Sequence, residues 1–135
     1  MKEYEDIAIE VKDYIAKITI QRPPNNFFDS FLIQQIADAY EELDGIDECR
    51  VVLLCSEGKN FCAGANFGED KDMHDKSHPY SKLYDQAVRL FRTNKPVIAV
   101  IQGAAVGGGL GLALSADFRL ACPEAKFCAK FAKLG

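Results

Sequence analysis

The stretch KPVIAVIQGAAVGGGLGLAL, residues 95–114, places three consecutive glycines between two apolar runs. The first run, at residues 97–101, is short and continuously apolar, which predicts a strand buried on both faces. The second run predicts a short apolar helix from about residue 109 to residue 116. A glycine turn between a strand and a helix start favours an anion site, because the first N–H groups of a helix lack an internal partner.

Three kinds of site use such a turn, and the residues exclude two of them. The dinucleotide fingerprint G-x-G-x-x-G/A fails, because its sixth position is Leu112 when counted from Gly107 and Leu114 when counted from Gly109. A phosphate loop ends in Gly-Lys-Ser/Thr, whereas this chain has Gly-Leu-Gly. An oxyanion hole remains, in which a backbone N–H stabilises a carbonyl oxygen as it becomes negative. The glycines could instead serve tight helix–strand packing alone, and the stretch by itself leaves both interpretations open.

Outside this stretch, strand and helix patterns alternate along the chain. Alternating apolar residues predict a hairpin over residues 7–20 with its turn near Asp13. Helical spacing predicts a helix that is capped by Asp29 or Ser30 and stopped at Gly45. The remaining predicted elements are a buried strand at 51–55, an amphipathic helix at about 80–91 and a strand at 118–121. This alternation predicts one domain with a layered α/β arrangement.

Composition places the chain among globular proteins and argues against two classes of partner. The 135 residues are 48% hydrophobic and 27% charged, which suits one folded domain. The net charge of −4 argues against a nucleic-acid or membrane-surface binder. No apolar run reaches membrane-spanning length unbroken, and the acidic N-terminus lacks a signal-peptide core. Five cysteines without metal-type spacing predict reduced thiols and a cytoplasmic protein.

Three segments together resemble the crotonase (enoyl-CoA hydratase/isomerase) superfamily. They are RPPNN at 22–26, FCAGAN at 61–66 and the glycine stretch, followed by ADFRLA at 116–121. The resemblance implies an α/β, crotonase-like fold of repeated ββα units in a spiral. It covers only the N-terminal portion of that fold. Residues 1–135 are therefore expected to form a crotonase-like core that lacks the C-terminal trimerisation helices.

The resemblance also implies a substrate and a site. Family members bind acyl-CoA thioesters, and two backbone N–H groups stabilise an enolate-like intermediate. By position these donors are Ala65 and Gly108. The residues expected to line the CoA pocket are Ala63, Asn66, Phe67 and Gly68, with Asn66 standing where the family usually has Asp. No metal and no cofactor beyond the CoA moiety of the substrate are expected. The full-length protein is expected to be a homotrimer or a dimer of trimers.

Both carboxylates that a hydratase of this family uses are absent. One would act as base and the other as acid during hydration. Their positions are occupied by Gly111 and Phe131. Glu124 lies too early to replace them and is expected in a turn between two strands. Hydration is therefore doubtful, although the superfamily also contains isomerases, decarboxylases, hydrolases and dehalogenases.

Other side chains could act in place of the two carboxylates. His74 is the first to test, because an unperturbed histidine titrates near neutral pH. The alternative is a solvated charged loop at 66–79, which also carries Glu69, Asp70, Asp72 and His78. Cys62 is expected to fill space rather than act as a nucleophile. Structural roles are expected for Asp117, Arg22 and Asn26.

The resemblance implies an acyl-CoA-binding enzyme, a lyase or isomerase of fatty-acid-type chemistry, or the N-terminal part of one. The alternative is a non-catalytic acyl-CoA-binding or assembly subunit that has kept the scaffold and lost the carboxylates. About half of the usual family chain is missing, so apolar surface is expected to be exposed. The chain is therefore expected to need a second chain, or a C-terminal continuation, to be soluble and active.

Overall fold

Strands and helices alternate along the protein. Its structure is a computed structural model, which describes residues 1–65 and 81–130. The strands are β1 (Ile7–Lys12), β2 (Ile15–Ile20), β3 (Val51–Ser56), β4 (Val97–Ile101), β5 (Ala104–Val106), β6 (Phe118–Ala121) and β7 (Lys126–Cys128). The helices are α1 (Ser30–Asp44), α2 (Ser81–Arg89) and α3 (Gly108–Ser115), and a 3₁₀ turn, Leu90–Arg92, follows α2. The predicted α/β alternation is confirmed.

Two sheets are formed by these strands. The larger sheet has the order β1-β2-β3-β4-β6; β1 and β2 are antiparallel and the other pairs are parallel. The smaller sheet pairs β5 with β7 in parallel. The sequence patterns do not predict β5 and β7, because three residues are too few to show an alternating pattern. The small sheet matters because β5 leads directly into the glycine turn.

Local signals set the ends of the hairpin and of α1 as predicted. Asp13 and Tyr14 adopt φ values of 52° and 67°, which suit the two-residue turn of a hairpin. Asp29 is the N-cap of α1, and its side chain accepts a hydrogen bond of 2.8 Å from the N–H of Leu32. Gly45 is the C-cap. The cap fixes the start of α1 and therefore the segment that precedes it.

One face of the larger sheet packs against α1. The strand residues of this face include Ile18, Leu54 and Ala99, which are fully buried. Opposite them, Ile36 and Leu43 of α1 are also fully buried. Burial of such side chains contributes about 1.5–3 kcal/mol each. This layer supports β3, which the first glycine-containing turn follows, and β4, which precedes β5 and the second such turn.

The other face of β3 and β4 is only partly buried, so the prediction of burial on both faces is wrong for the described residues. Leu53 and Ile98, which are register partners, lie on this face and are half-buried. Next to them on β6, Phe118 and Leu120 are each 64% exposed. No described element covers this face. The expected exposure of apolar surface is confirmed here.

The predicted second helix is present as α2, but its apolar residues do not all face the core. Leu83 is buried, as is Leu90 in the following turn. Tyr84 and Val88 of the helix and Phe91 of the turn are more than half exposed. Within 1–65 and 81–130, no helix is both long and apolar enough to cross a membrane.

Candidate functional site

The turn that follows β3 is held in place by two buried or half-buried amides. The Nδ2 of Asn26, a fully buried side chain, donates to the carbonyl oxygens of Glu57 at 2.8 Å and Asn60 at 2.9 Å. From the other side, the Nε2 of Gln102 donates to the carbonyl oxygens of Gly58 at 3.0 Å and Asn60 at 3.2 Å. The predicted loop-fixing role of Asn26 is confirmed by these bonds.

The second part of this turn lies alongside β5. The N–H groups of Phe61 and Cys62 both donate to the carbonyl oxygen of Ala104, at 3.1 and 3.0 Å. The N–H of Val106 returns a bond of 3.0 Å to the carbonyl oxygen of Cys62. Because β5 leads into α3, these bonds place the turn at 61–65 beside the glycine turn at 107–109.

Two glycines in these turns have backbone conformations that favour glycine. Gly64 has a φ of 118° and Gly107 a φ of 57°, a region that residues with side chains rarely adopt. The N–H of Gly107 donates to the carbonyl oxygen of Cys128 at 2.8 Å, so the small sheet holds this residue. A Cβ on Gly64 would lie 3.5 Å from the carbonyl oxygen of Val106. The two turns are therefore in contact.

The other two glycines of the triplet are required by close packing. A Cβ on Gly109 would lie only 2.0 Å from the carbonyl oxygen of Cys62, so α3 meets the first turn backbone to backbone. A Cβ on Gly108 would lie 2.0 Å from the Cζ of Phe28. The packing interpretation of the glycines is therefore correct for Gly108 and Gly109, and it is compatible with an exposed N–H at the helix start.

Four backbone N–H groups at these turns, those of Gly64, Ala65, Gly108 and Gly109, have no hydrogen-bond partner among residues 1–65 and 81–130. Two of them are the donors expected from the sequence. One belongs to Gly108, the first residue of α3, where helix geometry offers no internal acceptor. The other belongs to Ala65, which forms an isolated parallel bridge with Phe28. The first N–H with a helical partner in α3 is that of Gly111, which donates to the carbonyl oxygen of Gly107 at 3.1 Å.

The structure assigns structural roles to two other candidates. Cys62 is fully buried, and burial raises the pKa of its thiol to about 11, so the thiolate is rare at neutral pH. The carboxylate of Asp117 accepts a hydrogen bond of 2.8 Å from the N–H of Val97. The predicted space-filling and hydrogen-bonding roles of these two residues are therefore confirmed. Glu124 lies in the turn between β6 and β7, as predicted.

Several predicted site residues lie outside the described part of the chain. They are Asn66, Phe67, Gly68, His74 and Phe131. The other charged candidates of the 66–79 loop lie there too. Of the predicted pocket residues, Ala63 is described, and its N–H donates to the carbonyl oxygen of Asn25 at 2.9 Å.

Arg22 fixes the segment that enters the site. Its guanidinium pairs with Asp6 at 2.7 Å and with Asp29 at 3.0 Å, and it donates to the carbonyl oxygen of Phe27 at 3.2 Å. Burial alone would raise the pKa of Asp6, but hydrogen bonds from Arg22 and Gln35 outweigh it and hold that pKa below its ordinary value. The predicted structural role of Arg22 is thus confirmed.

The lowered pKa of Asp6 predicts a loss of stability in acid. A carboxylate with a depressed folded pKa stabilises the protein above its unfolded pKa, about 3.9, and this contribution disappears as pH falls through the folded value. At pH 7, Asp6→Asn is expected to lower the free energy of unfolding by about 1–2 kcal/mol. The difference between the two proteins should shrink below pH 4 in urea unfolding experiments. A difference that stays constant down to pH 2 would contradict this assignment.

Sequence reasoning overlooked two residues that hold the site together, Phe28 and Gln102. Phe28 is 7% exposed, and its contacts with both turns depend on chain segments far apart in sequence. Gln102 carries a detectable signal, since it is a polar residue directly after an apolar strand and directly before Gly103. Such a residue often satisfies backbone groups at the end of a sheet.

Comparison with known proteins places this chain in a family. A sequence model described as enoyl-CoA hydratase/isomerase matches residues 10–135. The chain belongs to the enoyl-CoA hydratase/isomerase family. It is 36% identical over 138 residues to a Mycobacterium tuberculosis protein named "Probable enoyl-CoA hydratase echA14", covering all of this chain and 54% of that protein.

Other members of the family are similar over the same part. A 1,2-epoxyphenylacetyl-CoA isomerase of Escherichia coli is 32% identical, covering 97% of this chain and 53% of that enzyme. The crystal structure of an enoyl-CoA hydratase from Mycobacterium avium subsp. paratuberculosis superposes with a TM-score of 0.83 at 29% identity. The superposition covers all of this chain and 54% of the M. avium chain. The predicted crotonase-like fold is confirmed, and the chain spans about half the length of these relatives.

Proposed function

We propose that this family member binds an acyl-CoA thioester and holds the thioester oxygen between the N–H groups of Ala65 and Gly108. As the bond to the α-carbon changes, negative charge develops on that oxygen, and the two donors stabilise the enolate-like intermediate. Donors of this kind lower a barrier because they are already oriented before the charge appears. Removal of one typically costs about 3 kcal/mol.

Unpaired N–H groups on two adjoining turns, among them those of Ala65 and Gly108, are the observation that supports this proposal. The turns are joined by the bond from Val106 to Cys62 and by the contact of Gly64 with Val106. Gly108 additionally stands at a helix start, where the dipole favours a negative charge. Peptide N–H groups that are free of internal partners need an acceptor, and a polarised thioester oxygen is a strong one.

We assign the CoA moiety to the side of the first turn that carries Ala63, together with residues 66–68. This assignment follows the position of these residues next to the Ala65 donor in sequence. The side chains at 63 and 65 are methyl groups, so the turn offers backbone groups rather than charged side chains to the substrate. Substrate chemistry beyond the oxyanion therefore needs side chains other than these two.

Binding of a conjugated dienoyl-CoA tests the proposal directly. Polarisation of the thioester carbonyl by two donors moves the absorption of the conjugated system to longer wavelength. We expect a saturable red shift when the chain is titrated into hexa-2,4-dienoyl-CoA, and no shift with free CoA. Saturable binding without any red shift would contradict the two-donor site.

A second candidate function is a non-catalytic acyl-CoA-binding subunit, and one observation favours it. Gly111, where a hydratase glutamate would stand, is exposed, and a Cβ there would have no neighbour within 4 Å. No carboxylate occupies this position. A red shift with no turnover across enoyl-, dienoyl- and malonyl-type thioesters would favour the binding subunit, whereas turnover of any of them would favour the enzyme.

The open space at Gly111 predicts that a carboxylate can be restored there. Gly111→Glu should fold normally, because no atom lies within 4 Å of an added Cβ and the charge lies near the start of α3. A positioned acid or base raises a reaction rate by about 100-fold or more. Because this variant restores only one of the two carboxylates, we expect crotonyl-CoA hydration to be roughly tenfold faster than in the wild type. Gly111→Gln is the matched control, since it has the same shape without the charge. Equal rates in the two variants would contradict the prediction.

The exposed apolar face of β3, β4 and β6 predicts association with another chain or chain segment. A face of this kind rarely stays in water when it is larger than a few hundred Å². We expect the 135-residue chain to sediment as an oligomer in analytical ultracentrifugation. Leu120→Lys should shift it toward the monomer, because Leu120 is 64% exposed on the edge strand. A well-folded wild-type monomer would contradict this prediction.

A further inference from the structure

Phe28 touches both of the turns that carry the unpaired N–H groups. Its backbone N–H donates to the carbonyl oxygen of Gly64 at 2.9 Å, and it forms the bridge to Ala65. Its ring meets the second turn, since a Cβ on Gly108 would lie 2.0 Å from Cζ and 2.2 Å from Cε1. One buried residue therefore connects the two donors through its backbone on one side and its ring on the other.

The position of Phe28 is itself fixed by its neighbours. The following residue, Asp29, is the N-cap of α1 and pairs with Arg22 at 3.0 Å. The preceding residue, Phe27, has its carbonyl oxygen bound by the same guanidinium. With the backbone held on both sides and the side chain 7% exposed, the ring has little freedom to withdraw from Gly108.

We propose that Phe28 is a positioning residue that sets the orientation of the Gly108 N–H relative to the Ala65 N–H. This inference rests on the proposed two-donor site and goes beyond it, because it assigns the geometry of that site to a side chain that never touches the substrate oxygen. The ring occupies the volume in which a Gly108 side chain would begin, so the helix start cannot move toward Phe28. A misplacement of about 1 Å is enough to lower catalysis roughly 100-fold.

The red shift of bound hexa-2,4-dienoyl-CoA reports this geometry, because it measures polarisation per bound ligand and not the amount of folded protein. Phe28→Ala should bind the ligand with less than about half of the wild-type shift, whereas Phe28→Leu, which refills part of the volume, should keep most of it. Leu43→Ala is the stability control. It removes a fully buried side chain from the far end of α1, about 20 Å along the helix from Phe28. This variant should melt earlier but retain the full shift.

A size exchange keeps the proposal testable if Phe28→Ala does not fold. Gly108→Ala should push the ring aside and reduce the shift, and the double variant Gly108→Ala/Phe28→Leu should recover at least about half of the loss. A full shift in Phe28→Ala, or a double variant no better than Gly108→Ala alone, would overturn the role of Phe28 while leaving the two-donor site intact. Absence of a red shift in the wild type would overturn the two-donor site and this inference with it.

Discussion

Gly109→Ala is expected to lower the free energy of unfolding by about 3 kcal/mol. The added Cβ would lie 2.0 Å from the carbonyl oxygen of Cys62 and 2.8 Å from its carbon, and both are backbone atoms. The turn cannot yield easily, because that same oxygen accepts the bond from Val106 that joins the turn to β5. Urea unfolding of the two proteins would measure the difference. The red shift of bound dienoyl-CoA should fall as well, since the clash separates the two donors.

The same substitution two residues later provides the control. Gly111 lies in the same helix, is exposed, and would have no atom within 4 Å of a Cβ. Gly111→Ala is therefore expected to stabilise the chain by about 0.5–1 kcal/mol, because alanine loses less backbone entropy in a helix. If both substitutions had the same effect, the intolerance at Gly109 would come from the helix itself and not from its contact with Cys62.

The parts of the fold that could be predicted from sequence are those with local causes. The cap at Asp29 and the stop at Gly45 are chemical signals within a few residues of the helix ends. The hairpin turn at Asp13 follows from alternating patterns on each side. The strand β4 was predictable from its short apolar run, whereas the glycine turn follows β5, which shows no pattern of its own.

The remaining features depend on contacts between distant segments. Nothing near Phe28 in the sequence reveals that its ring stands against Gly108, 80 positions later. The strands β5 and β7 exist because they pair with each other, not because either shows a pattern. The prediction that β3 and β4 are buried on both faces was wrong. A continuous apolar run is typical of strands that are covered on both faces, but no described element covers the second face here.

Replacement of Ala65 by L-lactic acid is the sharpest test of the proposed donors, because it changes the peptide N–H to an ester oxygen and keeps the methyl side chain. We expect turnover of the thioester that the substrate panel identifies to fall about 100- to 1000-fold. If the chain only binds, most of the red shift of hexa-2,4-dienoyl-CoA should be lost instead. Stability should change little, because the Ala65 N–H has no partner among the described residues. The carbonyl of Gly64 becomes an ester, which weakens the bonds that it accepts from the N–H of Phe28 and from the thiol of Cys62, at a cost of about 0.5–1 kcal/mol.

The same replacement at Ala63 separates a lost donor from a damaged turn. Its N–H donates to Asn25 at 2.9 Å, so the ester there removes a structural bond as well as weakening the Cys62 carbonyl that accepts from Val106. The Ala63 ester should therefore cost about 1–3 kcal/mol of stability, more than the Ala65 ester. If the turn acted only as a scaffold, the red shift would decrease together with the free energy of unfolding. The Ala63 ester would then lose more of both than the Ala65 ester. If the two N–H groups bind an oxyanion, the red shifts should have the opposite order. The Ala65 ester should be the more stable of the two and yet polarise the bound thioester less.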